Sequence, residues 1–155
     1  MATTNIAPPV TGQDINFAAL ATRRALEVLL AEQGTSFEPT ATMNVIAGVG
    51  KSLDLDGQVR YLSSALRVDV QTVETILHGL EARGLVERTR SDGDGKRHYA
   101  LTPEGDTEQR RLSGVTAALT AQLYRDFDPE DLAITRRVLV TLTERAIAHV
   151  ASVLA

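Results

Sequence analysis

Apolar residues recur at helical spacing along most of this chain. The first such segment predicts a helix from about Ile15 to Gln33, capped by Asp14 and stopped by Gly34. Its apolar stripe consists of Phe17, Leu20, Leu26, Leu29 and Leu30. A second helix, short and mostly buried, is predicted with Pro39 in its first turn and should give way at Gly48 and Gly50.

The middle of the chain predicts two helices joined by a tight turn. "SLDLD" alternates apolar and polar residues, which indicates a minimal strand at Leu53 to Leu55, and Asp56 is the expected cap of the following helix. After a turn at Arg67 and Val68, Asp69 is the expected cap of a helix that Gly84 ends. Two helices with a short turn between them form a helix-turn-helix.

Residues 85–89 and 97–101 have strand-like side chains on either side of the turn-forming run Ser-Asp-Gly-Asp-Gly. They predict an antiparallel hairpin, so the order helix, helix, hairpin is that of a winged helix. The hairpin, or wing, carries four cations: Arg88, Arg90, Lys96 and Arg97. Strand alternation predicts that Arg88 and Arg90 share one face.

Two long helices are predicted after the wing. "Thr-Pro-Glu" at 102–104 begins one that should run to about Asp126, and "Asp-Pro-Glu-Asp" at 128–131 begins a last one of about 25 residues. In that last helix apolar residues recur every seven positions at Leu132, Leu139, Ala146 and Val153, with Thr135, Leu142 and His149 offset between them. A seam of this kind predicts a partner helix.

Charge and composition exclude several classes of function. The net charge of -4 argues against indiscriminate coating of nucleic acid, but residues 51–98 balance eight basic against eight acidic side chains and leave room for a local basic patch. The chain has no cysteine, which excludes thiolate chemistry. No secretion signal and no membrane-spanning run is evident, so the expected location is the cytoplasm, without a membrane partner.

No catalytic set can be named, and the chain is not expected to be an enzyme. His78, His98 and His149 are far apart and lack further ligands at metal-binding spacing, so no metal and no cofactor is predicted. "Gly-Val-Gly-Lys-Ser" at 48–52 lacks the first glycine of a phosphate loop, since Val45 stands in its place.

Residues 62–105 resemble the winged helix-turn-helix of the MarR-type (multiple antibiotic resistance regulator) transcription factors. The motifs that carry the resemblance are "Thr-Val" at 72–73, "Leu-Glu-x-x-Gly-Leu-Val-x-Arg" at 80–88 and "Leu-Thr-x-x-Gly" at 101–105. The run "Tyr-x-Leu-Thr-Pro-Glu-Gly" is also common in PadR-type regulators, but the flanking helices favour the MarR-type plan.

The resemblance implies one domain over residues 14–155 behind a flexible arm of residues 1–13. It places the winged helix-turn-helix lobe at about 53–102 and dimerisation helices at about 14–34 and 103–155. The implied fold is mainly α with a small β-hairpin. The implied function is that of a homodimeric transcriptional regulator, a repressor that binds a pseudo-palindromic operator and is released by a small aromatic or anionic effector.

The resemblance also assigns candidate residues. The second motif helix would read bases in the major groove, and the wing would supply phosphate contacts. The candidate DNA contacts are Arg67, Gln71, Thr72, Glu74, Thr75, His78, Arg88, Arg90, Lys96 and Arg97. An effector pocket would involve Phe17, Arg23, Arg24 and Met43.

One feature departs from the family pattern, because the second motif helix carries no cation between Arg67 and Arg83. This feature and the acidic net charge keep open the alternative of a winged-helix module that binds protein, and the shared wing motif keeps open a PadR-like regulator without a small-molecule pocket.

Overall fold

The computed structural model describes residues 9–49, 52–91 and 95–154, which form six helices and one two-stranded antiparallel sheet. The predicted class, mainly α with a small β-hairpin, is confirmed. The elements in chain order are α1 (Gly12–Glu32), α2 (Phe37–Val49), α3 (Leu55–Leu66), α4 (Val70–Ala82), β1 (Val86–Arg90), β2 (Arg97–Leu101), α5 (Pro103–Leu123) and α6 (Pro129–Leu154).

Helix α1 begins earlier than predicted because Thr11, and not Asp14, is its cap. The Asp14 N–H donates to the Thr11 hydroxyl at 3.3 Å, and the Thr11 N–H donates to the Asp14 carboxylate at 2.8 Å. This reciprocal pair is a capping box, and the Thr11 hydrogen bonds hold the pKa of Asp14 below its ordinary value. The predicted left-handed stop is confirmed, since Gly34 has a φ of 75°.

The predicted strand at Leu53 to Leu55 is wrong. The Asp54 side chain accepts a hydrogen bond from the Gly57 N–H at 2.8 Å, which makes Asp54 the cap of α3 and Leu55 its first residue. Asp56, the predicted cap, lies in the first turn of the helix. Helix α2 ends at Val49, within the predicted stop at Gly48 and Gly50; Gly50 itself lies outside the described residues.

A single apolar core joins the first five helices and the wing. Its most deeply buried members from α1 to α4 are Leu30, Met43, Leu62, Val73, Leu77 and Leu80. The hairpin adds Val86 and Tyr99, and α5 adds Leu112. The stripes on α3 and α4 face this core, so their opposite faces are exposed.

The start of α5 is fixed against the turn that precedes β1. The Thr102 hydroxyl donates to the Gly84 carbonyl at 2.6 Å, and the Thr102 N–H donates to the Leu85 carbonyl at 3.1 Å. Gly105 packs so closely that a Cβ there would overlap the Leu85 carbonyl oxygen. This contact explains the "Leu-Thr-x-x-Gly" motif. Helix α5 ends at Leu123, before the predicted Asp126, whose left-handed φ of 70° no α-helix can continue.

The chain divides into two compact units, one ending at Ala117 and the other beginning at Ala118. The second unit contains the end of α5 and all 26 residues of α6. Most apolar side chains of α6 are 40% or more exposed, namely Ile134, Val138, Leu139, Val140, Leu142, Ile147, Val150 and Val153. No helix among the described residues is long and apolar enough to cross a membrane. The single domain over residues 14–155 stays a prediction.

Candidate nucleic-acid interface

Helix α4 presents a polar face to solvent. Asp69 caps it, accepting a hydrogen bond from the Thr72 N–H at 2.7 Å, and this bond lowers the pKa of Asp69. Gln71, Glu74 and His78 are exposed on the side opposite the buried stripe. Their spacing of three and four residues places them on one face of the helix.

The two threonines predicted as DNA contacts differ from these residues. The Thr75 hydroxyl is exposed but donates to the Gln71 carbonyl of its own helix at 2.9 Å. Thr72 is half-buried, and its backbone N–H serves the Asp69 cap. The amide of Gln71 and the carboxylate of Glu74 therefore supply most of the hydrogen-bonding capacity of this face.

Arg67 forms the turn between α3 and α4 in the left-handed conformation, with a φ of 58°. Its N–H donates to the Ser63 carbonyl, and the Ser63 hydroxyl donates to the Val68 carbonyl at 2.6 Å. The side chain of Arg67 is exposed. Sequence reasoning placed the turn correctly but missed its left-handed backbone, because that conformation is usual for glycine or asparagine and not for arginine.

The wing pairs β1 with β2 in antiparallel register, with Arg90 opposite Arg97 and Arg88 opposite Tyr99. Side chains of directly opposed residues lie on the same face, so Arg88, Arg90 and Arg97 share one face, as predicted for the first two. Arg90 and Arg97 are exposed, and neither forms an ion pair with another described residue. Lys96 is also exposed, and Asp92 and Asp94 of the turn lie outside the described residues.

Arg88 is held quite differently from the other wing cations. Its Nε lies 2.9 Å from Glu81 Oε1, and its Nη2 donates to Glu81 Oε2 at 3.1 Å, which makes a two-pronged ion pair with α4. The same Nη2 is 3.3 Å from His78 Nε2, and the guanidinium lies 5.4 Å from the centre of the Tyr99 ring. Tyr99, and after it Glu81, raise the pKa of Arg88, so the guanidinium remains charged.

A glutamine from α3 completes the sheet on its other side. The Tyr99 N–H donates to Gln58 Oε1 at 2.6 Å, and Gln58 Nε2 donates to the Tyr99 carbonyl at 3.0 Å. Gln58 is 1% exposed. Its side-chain amide thus pairs with the edge of β2 much as a third strand would. Sequence reasoning missed this residue, and the only available signal was a polar residue close to the apolar stripe of α3.

The four residues predicted to bind an effector differ in their surroundings. Met43 is in the core at 1% exposure, whereas Phe17 is 60% exposed on α1. Arg23 joins α1 to α2: it forms ion pairs with Glu27 at 2.8 Å and Glu38 at 3.0 Å and stacks on Phe37. Arg24 is exposed, with one long ion pair to Glu27 at 3.9 Å.

A separate cavity of about 800 Å³ is lined by residues of the end of α2, of β2 and of the start of α5. Its lining includes the buried residues Ile46, His98 and Tyr99, and none of the four predicted effector residues contributes to it.

Comparisons with known proteins agree with this architecture. The sequence model of the MarR family matches residues 34–97. No curated protein sequence matches the chain.

Three solved structures illustrate the similarity of the fold. A MarR family transcriptional regulator from Silicibacter pomeroyi is 21% identical with a TM-score of 0.71, over 85% of this chain and 86% of that one. MepR from S. aureus, in a complex with DNA, is 15% identical with a TM-score of 0.69, over 88% and 96%. CouR from Rhodococcus jostii RHA1, bound to p-coumaroyl-CoA, is 16% identical with a TM-score of 0.70, over 83% and 87%.

The family match covers α2, α3, α4 and β1 and ends at the first residue of β2, and the similar structures cover 83–88% of the chain. The predicted resemblance to the MarR family is confirmed for residues 34–97. Residues 34–97 are a MarR-family segment, and the chain has the fold of the MarR-family transcriptional regulators.

Proposed function

We propose that this protein is a homodimeric, sequence-specific DNA-binding transcriptional regulator, a repressor that leaves its operator when a small molecule binds. The observation that carries the proposal is the exposed polar face of α4 beside the cations Arg90 and Arg97 of the wing. Similarity to MepR, whose structure contains DNA, supports the same conclusion.

Helix α4 is the element suited to the major groove. The side chains of Gln71 and Glu74 are exposed near its N-terminus, the end with which helix-turn-helix proteins contact base edges. A glutamine amide can bind adenine through two hydrogen bonds, and a glutamate can accept one from the cytosine amino group. His78, one turn further on, and Arg67, in the preceding turn, extend the same contact surface.

The wing is the element suited to phosphates. Like charges directly opposite each other on two strands destabilise a hairpin, and Arg90 and Arg97 are such a pair. A phosphate between or beside them would relieve this repulsion and release counterions from the DNA. Because α4 carries no cation between Arg67 and Arg83, we assign the contacts with the DNA backbone to the wing cations Arg90, Lys96 and Arg97.

Dimerisation would account for the exposed face of α6. An apolar groove of about 640 Å³ in the second unit is lined by residues that include Tyr124, Leu132, Leu139 and Val140. Exposed apolar surface of this extent, repeated every seven residues, is typical of helices that pack against a partner. Two copies related by a two-fold axis would place two α4 helices on the two halves of a pseudo-palindromic operator.

The proposal of a small-molecule effector is supported by the similarity to CouR, whose structure contains p-coumaroyl-CoA. Of the four predicted contacts, Phe17 and Arg24 have exposed side chains that an aromatic or anionic molecule could reach. Met43 lies in the core, and Arg23 is held by two glutamates, so their contribution would require rearrangement.

The proposal is tested by fluorescence anisotropy with DNA from the region upstream of the protein's own gene, over a salt series, against a scrambled duplex of equal length. We expect tighter binding to the genuine sequence and a log–log salt slope that becomes shallower by about 0.9 when Arg90→Ala or Arg97→Ala removes one phosphate contact. Gln71→Ala should leave the slope unchanged and relax base preference at one position. Equal binding to both duplexes would contradict sequence-specific regulation.

The acidity of α4 favours one alternative, a module that binds protein. Glu74 is exposed on the face that would meet DNA, and the chain as a whole carries a net charge of -4. A stable protein partner whose binding heparin does not compete away, together with the absence of any DNA binding, would favour this alternative.

A further inference from the structure

We propose that Arg88 is a positioning residue that fixes the wing against α4, and that it does not bind a phosphate. This inference rests on the proposed function, because it concerns how the wing is presented to DNA. It separates Arg88 from Arg90 and Arg97, with which it shares a face of the hairpin.

The first observation is the number of partners that Arg88 has within the protein. Its Nε and Nη2 contact the two oxygens of the Glu81 carboxylate, at 2.9 and 3.1 Å, and Nη2 also lies 3.3 Å from His78 Nε2. Two parallel bonds between arginine and a carboxylate define an orientation as well as a distance. The fork therefore sets the angle between β1 and the last turn of α4.

The second observation is that Tyr99, the residue paired with Arg88 across the hairpin, is buried in the core. Tyr99, directly opposite Arg88 in the hairpin, is 6% exposed, and its backbone is bound by Gln58 of α3. A continuous series of contacts thus runs from α3 through β2 and β1 to α4. Thr89 and Glu87, on the opposite face of β1, have no part in it.

Charge argues against a phosphate contact by Arg88. Its positive charge is already paired with Glu81, whose side chain is only 24% exposed. To bind a phosphate, Arg88 would have to leave this carboxylate unpaired beside the negatively charged DNA. Arg90 and Arg97 face no such cost, since neither forms an ion pair within the described residues.

The two roles predict opposite signs for one substitution. If Arg88 bound a phosphate, Glu81→Ala would remove a competing acid and strengthen DNA binding. If Arg88 positions the wing, Glu81→Ala will weaken DNA binding, because the wing loses its fixed angle. We expect a loss of about two- to fivefold, the range of one partly exposed ion pair.

The experiment compares Glu81→Ala, Arg88→Ala and the double variant in the anisotropy assay. Glu87→Ala is the matched control, since Glu87 is an exposed acid on the other face of the same strand. We expect Glu81→Ala and Arg88→Ala to weaken binding to a similar extent without changing the salt slope, and the double variant to be no worse than either. Glu87→Ala should leave binding unchanged or slightly tighter.

A measurement without DNA keeps this inference separate from the proposed function. Amide hydrogen exchange of β1 and β2 in the free protein should become faster in both Glu81→Ala and Arg88→Ala, and not in Glu87→Ala. Binding that tightens in Glu81→Ala as it does in Glu87→Ala, or a shallower salt slope in Arg88→Ala, would overturn the positioning role. If the unchanged protein bound no DNA, the proposed function would fail, and exchange alone would decide whether Arg88 fixes the wing.

Discussion

Leu62 and Leu77, on α3 and α4, are completely buried, whereas Leu139 and Leu142, on α6, are 40% and 43% exposed. All four belong to apolar stripes with ordinary helical spacing. The stripes of α3 and α4 face other elements of the same chain, which form a closed core around the root of the wing. Periodicity therefore shows that a side chain needs burial, but it does not show whether the partner lies in the same chain.

The winged lobe and α6 also differ in whether their stability should depend on protein concentration. In the lobe, apolar burial and specific polar contacts fix one hairpin on one helix pair, independently of protein concentration. For α6, burial of the exposed stripe requires a second copy under the proposed function, so the stability of the second unit should depend on concentration.

The largest effect is expected from a charge placed in the stripe of α6. Leu139→Glu would remove one leucine per copy from the proposed interface, about 1.5–3 kcal/mol each, so the dimer dissociation constant should rise at least about 100-fold. Analytical ultracentrifugation over a dilution series measures it. The control Ala148→Glu adds the same charge to the opposite side of the helix. Equal dissociation constants for the two variants would show that this stripe is not the interface.

A second substitution tests how closely the lobe is packed. Gly105→Ala would push a Cβ into the Leu85 carbonyl, and we expect a loss of about 3 kcal/mol in the free energy of unfolding. Gly114, on the same helix, has open space where a Cβ would stand, so Gly114→Ala should be neutral or stabilise by up to about 1 kcal/mol. Urea unfolding measures both. Similar values for the two variants would mean that the start of α5 can shift without loss.

Sequence reasoning predicted the helices, the hairpin and their order because these follow from local patterns. It failed where two nearby residues could each cap a helix. Thr11 and Asp54 are the caps, although Asp14 and Asp56 are also of a residue type that caps helices. It also could not show that Arg88, grouped with the other wing cations, pairs with Glu81, since strand alternation gives a residue's face but not its partner. Glu81 lies seven positions away, on another element, and only the fold brings the two together.

The smallest of these effects is expected for Gln58, and it tests how polar contacts hold the hairpin in the lobe. Gln58→Ala would leave the N–H and the carbonyl of Tyr99 without partners in a buried site, which should lower the free energy of unfolding by about 2 kcal/mol. The exposed Gln71 provides the same substitution on a neighbouring helix, where a change of no more than about 0.5 kcal/mol is expected. Because the pair acts on β2, the loss should appear as faster amide exchange in the hairpin as well as in urea unfolding. If Gln58→Ala were no more costly than Gln71→Ala, the paired hydrogen bonds between Gln58 and Tyr99 would contribute nothing to the stability of the lobe, and the wing would be held by its apolar packing and its other polar contacts.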